Sequence, residues 1–320
     1  MIAQRDVFLT ALFEKAQTDK DIMLISVDMG APSLDRWRSD LPEQFLFAGI
    51  SEQNAINVAA GLSAAGKKVY VYFMAAWAAR CFEQVRYSCA MGDNPITILG
   101  NGVGLGYAPA GPAHEPNEDI AYMRSINGIE VYCPANGNII SDLVDLTIRE
   151  PKLRYIRLER KYAQEVESSY ENGYANNVGI YCVRPGLSEP RKEGVSRTCI
   201  LSSGYMLGRS VKVWDKLVKS GHEASVMDLW KIKPIDQEFL VNRLHEYDNI
   251  VTIEEQTLDG GFGSAVCEVL SDQNAQKRIL RLGLPERFIF ENGDRDHLLD
   301  TNGLSTETIF EKVKSFLQKE

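Results

Sequence analysis

An acidic residue at the start of an alanine-rich helix is the first feature of the sequence that could do chemistry. Glu52 follows a short apolar run and lies in the first turn of a helix predicted over residues 52–65. Ser51 is expected to cap this helix, which ends near Gly66. A carboxylate at a helix N-terminus is stabilised by about 0.3–1 kcal/mol and needs no catalytic role. In an apolar setting, the same carboxyl group can share a proton near neutral pH and act in acid–base catalysis.

Two aromatic residues and a histidine further along the chain offer groups of other kinds. Phe73 and Trp77 lie at the end of a predicted strand and in the turn after it, where they could supply a flat surface for a planar ligand. Stacking adds about 0.5–1.5 kcal/mol beyond the burial of area, but both residues suit an ordinary core equally well. His114 lies beside an acidic residue in a loop rich in glycine and proline. A lone loop histidine is usually a surface residue, so its role stays open on these grounds.

The elements that must position these residues alternate along the chain. Short apolar runs predict strands, and stretches with helical spacing between them predict helices, which is the pattern of parallel sheets covered on both faces. The predicted strands are 22–27, 69–73, 96–99, 129–132, 153–156, 198–201, 224–227, 250–253 and 279–282. The predicted helices, besides one near each end of the chain, are 52–65, 76–91, 139–148, 207–218, 235–245 and 263–270.

The alternation is interrupted by a polar stretch over residues 161–197, in which the letters VGIYCV predict one short strand. The sequence therefore predicts an α/β fold of two domains, each a mostly parallel sheet flanked by helices. The first domain is expected over residues 1–165, a connection over 166–194 and a smaller second domain over 195–320.

Composition excludes several classes of function. The chain has 320 residues and a net charge of −9, which argues against a general binder of nucleic acid or anionic membranes. No stretch approaches the roughly 18 uninterrupted apolar residues of a membrane span, and the first residues do not form a signal peptide. The six cysteines and four histidines show no zinc spacing. A reduced, cytoplasmic location is the simplest interpretation.

Several motifs in order along nearly the whole chain resemble the transketolase family, including the deoxyxylulose-phosphate synthases. The string GISEQNAINVAAGLSAAG, a strand, an aromatic turn and a helix ending in EQV are similar to the family's pyrimidine-binding domain. The segments GLG, GPAHEPNED and RSI resemble the loop that this family writes GLG, GPTHQPxE and Rxx. In the second half, LSSGYMLG, VMDLWKIKPID, VTIEE, GGFG and LLDTNGLSTETI are similar to the transketolase C-terminal domain.

The resemblance implies thiamine diphosphate as the cofactor and gives roles to the residues above. Glu52 matches the glutamate that faces N1′ of the cofactor's aminopyrimidine and promotes its imino tautomer, and Phe73 and Trp77 match the aromatic platform for that ring. Arg80 is assigned to the same pocket, and Asp28 matches an aspartate near the cofactor at the subunit interface.

Substrate-binding residues also follow from the resemblance. His114 matches the histidine that hydrogen-bonds the donor ketose. Arg5, Ser33 and Arg160 align with positions that bind the sugar phosphate in transketolases, and the arginine fork suits a phosphate group.

The first departure from the family is a missing domain. Transketolases bind Mg²⁺ and the diphosphate through GDG and an asparagine about 30 residues later, a set of oxygen ligands that suits magnesium. Here residues 92–94 read GDN, and no such pair occurs. The sequence therefore predicts a split enzyme whose partner chain supplies the GDG domain and most of the Mg²⁺ site, as an α₂β₂ heterotetramer.

The second departure lies in the substrate loop. Transketolases have His-Asp-Ser where this chain has Gly100-Asn101-Gly102, and Glu-Asp-Gly-Pro where it has Tyr-Ala-Pro-Ala-Gly-Pro. The loop thus lacks the phosphate-facing histidine and an acidic ligand for hydroxyl groups. These changes favour a sugar or sugar phosphate outside the usual pentose-phosphate set, such as a modified, deoxy or less phosphorylated one.

Two alternatives remain. A β subunit of a 2-oxoacid dehydrogenase has the same length, domains and glutamate, although the GPAHEP loop, the Arg124-Ser-Ile segment and the phosphate-site arginines favour transketolase. A non-catalytic subunit kept for assembly is the other, against which the presence of both Glu52 and His114 argues.

Overall fold

The computed structural model describes residues 3–135, 137–160 and 179–319 and forms two α/β domains. The first domain contains, in chain order, α1 Gln4–Ala16, β1 Ile22–Ser26, α2 Leu34–Asp40, β2 Phe45–Phe47, α3 Glu52–Ala64, β3 Lys68–Met74, α4 Phe82–Gln84, β4 Ile96–Asn101, α5 Asp119–Arg124, β5 Glu130–Tyr132, α6 Gly137–Arg149 and β6 Arg154–Leu158. The second contains β7 Ile180–Arg184, β8 Arg197–Ser202, α7 Met206–Lys219, β9 Glu223–Leu229, β10 Lys231–Lys233, α8 Gln237–Leu244, β11 Asn249–Thr257, α9 Phe262–Asp272, β12 Arg278–Leu284, α10 Arg295–Leu299 and α11 Thr306–Gln318.

Each domain is built on one mostly parallel sheet. The first sheet has the order β10-β5-β6-β4-β3-β1-β2, and all of its pairs are parallel except that of β10 with β5. The second has the order β12-β11-β8-β9-β7, with β7 antiparallel at one edge. The predicted fold class is confirmed. Because β10 follows β9 in the chain but pairs with β5, the second domain contributes an edge strand to the first sheet.

Both faces of the first sheet are buried. On strand β3, Tyr70 and Tyr72 pack on one face with α1 and α6, whereas Val71 and Phe73 pack on the other face with α3. The alternation follows from the two-residue period of a strand, and covering both faces explains why β3 has apolar or aromatic residues at every position after Lys68.

Two predictions about local structure in the first domain are wrong. Residues 76–91 do not form one helix but a 3₁₀ segment over Ala75–Cys81, the single turn α4 and a π segment over Val85–Met91. Apolar spacing predicts helical turns but does not fix the number of residues per turn. Ser51 occupies the N-cap position of α3, but its hydroxyl donates to the carbonyl of Ala48 at 2.5 Å and caps no amide of the helix.

In the second domain, a glycine allows α9 to pack closely against β11. A Cβ atom on Gly263 would lie 2.6 Å from the hydroxyl of Thr252 on β11, so α9 can approach that strand closely only with glycine there. Of the predicted polar connection over 161–197, residues 161–178 lie outside the described residues. In the described ranges, no helix is both long and apolar enough to span a membrane.

A buried ion cluster joins the two domains. Arg295 of α10 donates to Glu255 Oε1 at 2.7 Å and to Glu159 Oε1, beyond the end of β6, at 3.1 Å. The amide of Leu105 also donates to Glu255, at 2.9 Å. The cluster therefore ties the loop after β4 to the second domain.

Candidate active site

The functional candidates of the first domain lie beyond the carboxyl ends of its parallel strands. Asp28 follows β1, Trp77 follows β3, His114 lies in the loop after β4, and Arg160 follows β6. In an open parallel sheet, this edge is where ligands bind, since the loops from neighbouring strands meet there.

Glu52 is a buried acidic residue at this edge. It begins α3, and its side chain is 1% exposed. Arg80, which is exposed, donates through Nη1 to Glu52 Oε2 at 3.0 Å. The second carboxylate oxygen, Oε1, is buried and has no hydrogen-bond partner among the described residues. Since an unpaired buried oxygen is costly, it marks a position where a ligand would complete the hydrogen bonding.

Two rings continue this group of residues away from Glu52. The guanidinium carbon of Arg80 lies 4.8 Å from the centre of the Trp77 ring, within cation–π distance. The Trp77 ring in turn meets the ring of His114 edge to face, with centroids 5.4 Å apart. His114 Nδ1 is buried without a partner in the described part of the chain. Glu52, Arg80, Trp77 and His114 thus form one continuous group, here called the carboxylate cluster.

The two aromatic candidates differ in their environment. Trp77 is half-buried within the carboxylate cluster. Phe73 has no exposed surface and packs in the hydrophobic core between the sheet and α3. The structure leaves its ring no free face for a ligand, which favours the core role that the sequence had left open for Phe73.

Asp28 stands apart from the carboxylate cluster. It is exposed, and its backbone has φ of +58°, a left-handed conformation that aspartate tolerates better than most residues. Its amide donates to the carbonyl of Gly49 at 2.9 Å, which connects the loop after β1 to the segment before α3. Its carboxylate makes no hydrogen bond or ion pair with a described residue, so its role at a subunit interface stays a prediction.

The three predicted phosphate-binding residues lie in a second group at the same edge. Ser33 donates to Asp6 Oδ1 at 2.8 Å, and Arg5 Nε lies 3.4 Å from Asp6 Oδ2. The guanidinium carbon of Arg160 lies 4.4 Å from the centre of the Tyr107 ring. We call Arg5, Asp6, Ser33, Tyr107 and Arg160 the arginine cluster.

Electrostatics favour the charged form of Arg5. Burial opposes the charge of Arg5, but the neighbouring Tyr72 and Asp6 outweigh it and raise the pKa of the guanidinium. Tyr107 also lies close enough to raise the pKa of Arg5. Because Tyr107 interacts with both arginines, it connects the Arg5 side of the cluster to the Arg160 side. Within the described ranges, Asp6 is the acidic residue that forms an ion pair with either arginine, so the cluster carries an excess of positive charge.

Sequence reasoning missed Gln4, which positions Arg5. The side chain of Gln4 is buried and donates to the carbonyls of Pro134 and Ala135, each at 3.2 Å. Its oxygen accepts from the amide of Glu159 at 3.0 Å. These bonds attach the first turn of α1 to the ends of β5 and β6, but no local sequence pattern indicates contacts over such a separation.

Glu115 is a second missed residue, beside His114 in the chain. It is 6% exposed, and neither carboxylate oxygen has a hydrogen-bond partner among the described residues. Burial, together with the negative charges of Glu255 and Glu291, raises the pKa of Glu115 to about 7. Glu115 stands where the family pattern has glutamine, and that difference is the sequence signal that could have marked it as a functional candidate.

These residues fit one half of a thiamine diphosphate site. The free oxygen of Glu52 suits a nitrogen of an aminopyrimidine ring, and the half-buried Trp77 is joined to Glu52 through Arg80. In the part of the chain that the structure describes, no three histidine, cysteine, aspartate or glutamate residues are grouped to hold a metal ion.

Comparison with known proteins agrees with the fold and the arrangement of the site. Residues 1–165 match the model for the transketolase pyrimidine-binding domain, and residues 189–309 match that for the transketolase C-terminal domain. The chain therefore belongs to the transketolase family, a family of thiamine-dependent transferases, as the sequence motifs predicted. The alternative of a 2-oxoacid dehydrogenase subunit is not favoured.

The similar proteins include split and unsplit members of the family. It is 32% identical to one of the subunits of the apulose-4-phosphate transketolase of Phocaeicola vulgatus, over 100% of this chain and 99% of the relative. It is 31% identical to the 1-deoxy-D-xylulose-5-phosphate synthase of Aquifex aeolicus, of which it spans 48%. A solved split-gene transketolase, described as an inactive beta4 tetramer, is 29% identical with a TM-score of 0.83, covering 99% of this chain and 98% of that one.

Proposed function

We propose that this chain is the C-terminal subunit of a split transketolase that transfers a two-carbon ketol unit from a ketose phosphate to an aldose. The observation that carries the proposal is the buried Glu52, whose Oε1 has no partner among the described residues and whose Oε2 is joined through Arg80 to Trp77 and His114. An assembly-only subunit would not need a buried carboxylate with an unpaired oxygen, since that arrangement costs stability.

Each residue of the carboxylate cluster has a role in this reaction. Thiamine diphosphate, when bound, supplies the electron sink for cleavage of the carbon–carbon bond. Glu52 holds or accepts a proton at the pyrimidine nitrogen through Oε1, while Arg80 occupies its other oxygen. Trp77 supports the guanidinium of Arg80 with its ring, and His114 offers Nδ1 to a hydroxyl group of the sugar.

A partner chain completes the site in this proposal. We expect it to carry the GDG motif and the later asparagine, and to hold the diphosphate and Mg²⁺ in an α₂β₂ heterotetramer. Large apolar side chains are exposed around the start of α3 and on the π segment that packs against it, among them Ile50, Tyr87 and Met91, which are 74%, 63% and 65% exposed. Exposed apolar residues of this size favour a protein interface next to Glu52.

The arginine cluster supports a phosphorylated substrate. Two arginines and a serine meet there although the family's phosphate-facing histidine is replaced by glycine. The name of the Phocaeicola vulgatus relative also refers to a sugar phosphate. We therefore favour a sugar phosphate outside the usual pentose-phosphate set over a less phosphorylated sugar.

The test is a Glu52→Gln substitution in the complex reconstituted with the partner that copurifies in the presence of Mg²⁺ and thiamine diphosphate. Loss of a general acid–base group lowers the rate by about 10²–10⁴-fold. Glu307→Gln is the matched control, because Glu307 is also in the first turn of a helix but is exposed. Unchanged activity in Glu52→Gln would support an assembly role, and pyruvate decarboxylation by the complex would support the dehydrogenase alternative.

A further inference from the structure

Tyr107 occupies the space left by an absent side chain in the substrate loop. Gly102 has φ of +75°, and a Cβ atom built on it would lie 1.9 Å from Cε2 of the Tyr107 ring. The ring therefore fills the position that a side chain at residue 102 would take. Tyr107 is 8% exposed and lies where the family pattern has an acidic residue, so both partners of this contact differ from that pattern together.

The ring of Tyr107 lies against the guanidinium of Arg160. The distance of 4.4 Å to the ring centre is within the range of an attractive cation–π contact. In the described part of the chain, the ring of Tyr107 is a contact that can orient the Arg160 guanidinium. A guanidinium held by its face keeps its N–H groups free for a bidentate contact with an anion.

The hydroxyl of Tyr107 is fixed from the other side. Asn101, which has no exposed surface, donates through Nδ2 to Tyr107 Oη at 3.0 Å. The Asn101 carboxamide oxygen is left without a partner among the described residues. Burial raises the pKa of Tyr107 although Arg160 and Arg5 oppose it, so the phenol keeps its proton at neutral pH. The Asn101–Tyr107 pair therefore retains one donor and one acceptor for a ligand.

We propose that Tyr107 is a positioning residue of the substrate site, because its ring holds Arg160 in place to bind the phosphate group of the substrate. The ligand is a phosphate monoester of a small sugar, bound between Arg160 and Arg5. The proposal rests on the proposed function for the identity of the sugar phosphate. The anion site itself is formed by residues of this chain alone, and its test requires neither cofactor nor partner.

The experiment measures binding of inorganic phosphate to the full chain by isothermal titration at pH 7. Tyr107→Phe keeps the ring and is expected to bind phosphate within about twofold of wild type. Tyr107→Leu removes the aromatic face and is expected to bind about threefold to tenfold more weakly. Phe239→Leu is the matched control, because Phe239 lies 5.0 Å from the guanidinium of Arg243 in a similar pair outside both clusters.

A double-mutant comparison separates positioning from a merely structural effect. In an Arg160→Gln background, Tyr107→Leu is expected to cause no further loss of phosphate binding, since its effect passes through Arg160. In the assembled enzyme, Tyr107→Leu should raise KM for the phosphorylated sugar with little change in kcat. The proposal is overturned if wild type does not bind phosphate, if Tyr107→Leu binds it as tightly as wild type does, or if the two substitutions weaken binding independently. Each of these results leaves the Glu52→Gln test of the proposed function unaffected.

Discussion

A Glu115→Gln substitution should change how the stability of the protein depends on pH. Glu115 is buried without hydrogen-bond partners among the described residues, and its pKa is raised from 4.5 to about 7 by burial and by the charges of Glu255 and Glu291. A carboxyl group with a raised pKa binds its proton more tightly in the folded state. Its contribution to stability is therefore fully present below about pH 4.5 and is lost as the pH rises towards and through 7.

The size of the effect follows from the shift in pKa. At about 1.4 kcal/mol per unit, the raised pKa of Glu115 lowers the free energy of unfolding, relative to a side chain that does not titrate, by about 2–4 kcal/mol at pH 8 but by only about 1 kcal/mol at pH 5. Glutamine has nearly the same shape and no charge. It should thus raise stability at pH 8 by about 2 kcal/mol more than it does at pH 5, whatever the constant cost of burying its amide.

Urea denaturation of wild type and Glu115→Gln at pH 5 and pH 8, followed by circular dichroism and tryptophan fluorescence, measures this difference. Using two probes checks that the two domains unfold together, as the buried ion cluster between them predicts. Glu311→Gln is the control, since Glu311 is exposed on α11 and the substitution replaces a glutamate by glutamine at a site that is not buried. If Glu115→Gln alters stability equally at both pH values, to within about 0.5 kcal/mol, the reasoning from burial is wrong.

Three further substitutions test the site and its surroundings. Phe73→Ala should lower the free energy of unfolding in urea by about 3–5 kcal/mol because the ring is fully buried. Trp77→Ala should cost less stability but abolish cofactor binding by the assembled complex, which calorimetry measures. Ile50→Asp should weaken partner binding, measured by titration, without lowering stability, because this residue is 74% exposed. Gly104→Ala should destabilise the junction of the domains by about 1–3 kcal/mol in urea, since the added Cβ would lie 2.6 Å from the Glu255 carboxylate and φ is +54°.

The elements and the central carboxylate could be predicted from the sequence because their signals are local. The apolar run of β3 indicated a strand buried on both faces, and the alanine-rich helix placed Glu52 at its first turn. Strands β2 and β10 have three residues each, too few to show a period, and β10 pairs with a strand of the other domain. Pairing of that kind depends on the tertiary structure, which local propensity does not describe.

The clusters themselves depended on contacts between distant loops. The resemblance could assign Arg5, Ser33 and Arg160 to one ligand, but Asp6 and Tyr107, which connect them, carry no motif. Ser51 shows the opposite case, because its residue type predicts a cap and its hydroxyl instead donates backwards to Ala48. A residue type therefore defines what a side chain can do, and its neighbours in space decide which of those contacts it makes.

The departures from the family pattern are concentrated in one loop, and the structure makes them interdependent. Tyr107 can take its position only because residue 102 has no side chain, and Asn101 then becomes its hydrogen-bond partner. A change at any one of these three positions alone would leave a clash, a cavity or an unpaired polar group. We therefore expect these positions to change only as a set. Gly102→Ser bears the strain of a positive φ in either background, but it should destabilise the protein more when Tyr107 is present than when Tyr107 is replaced by a small residue. Urea denaturation of the single and double variants would measure that coupling, and additive effects would contradict it.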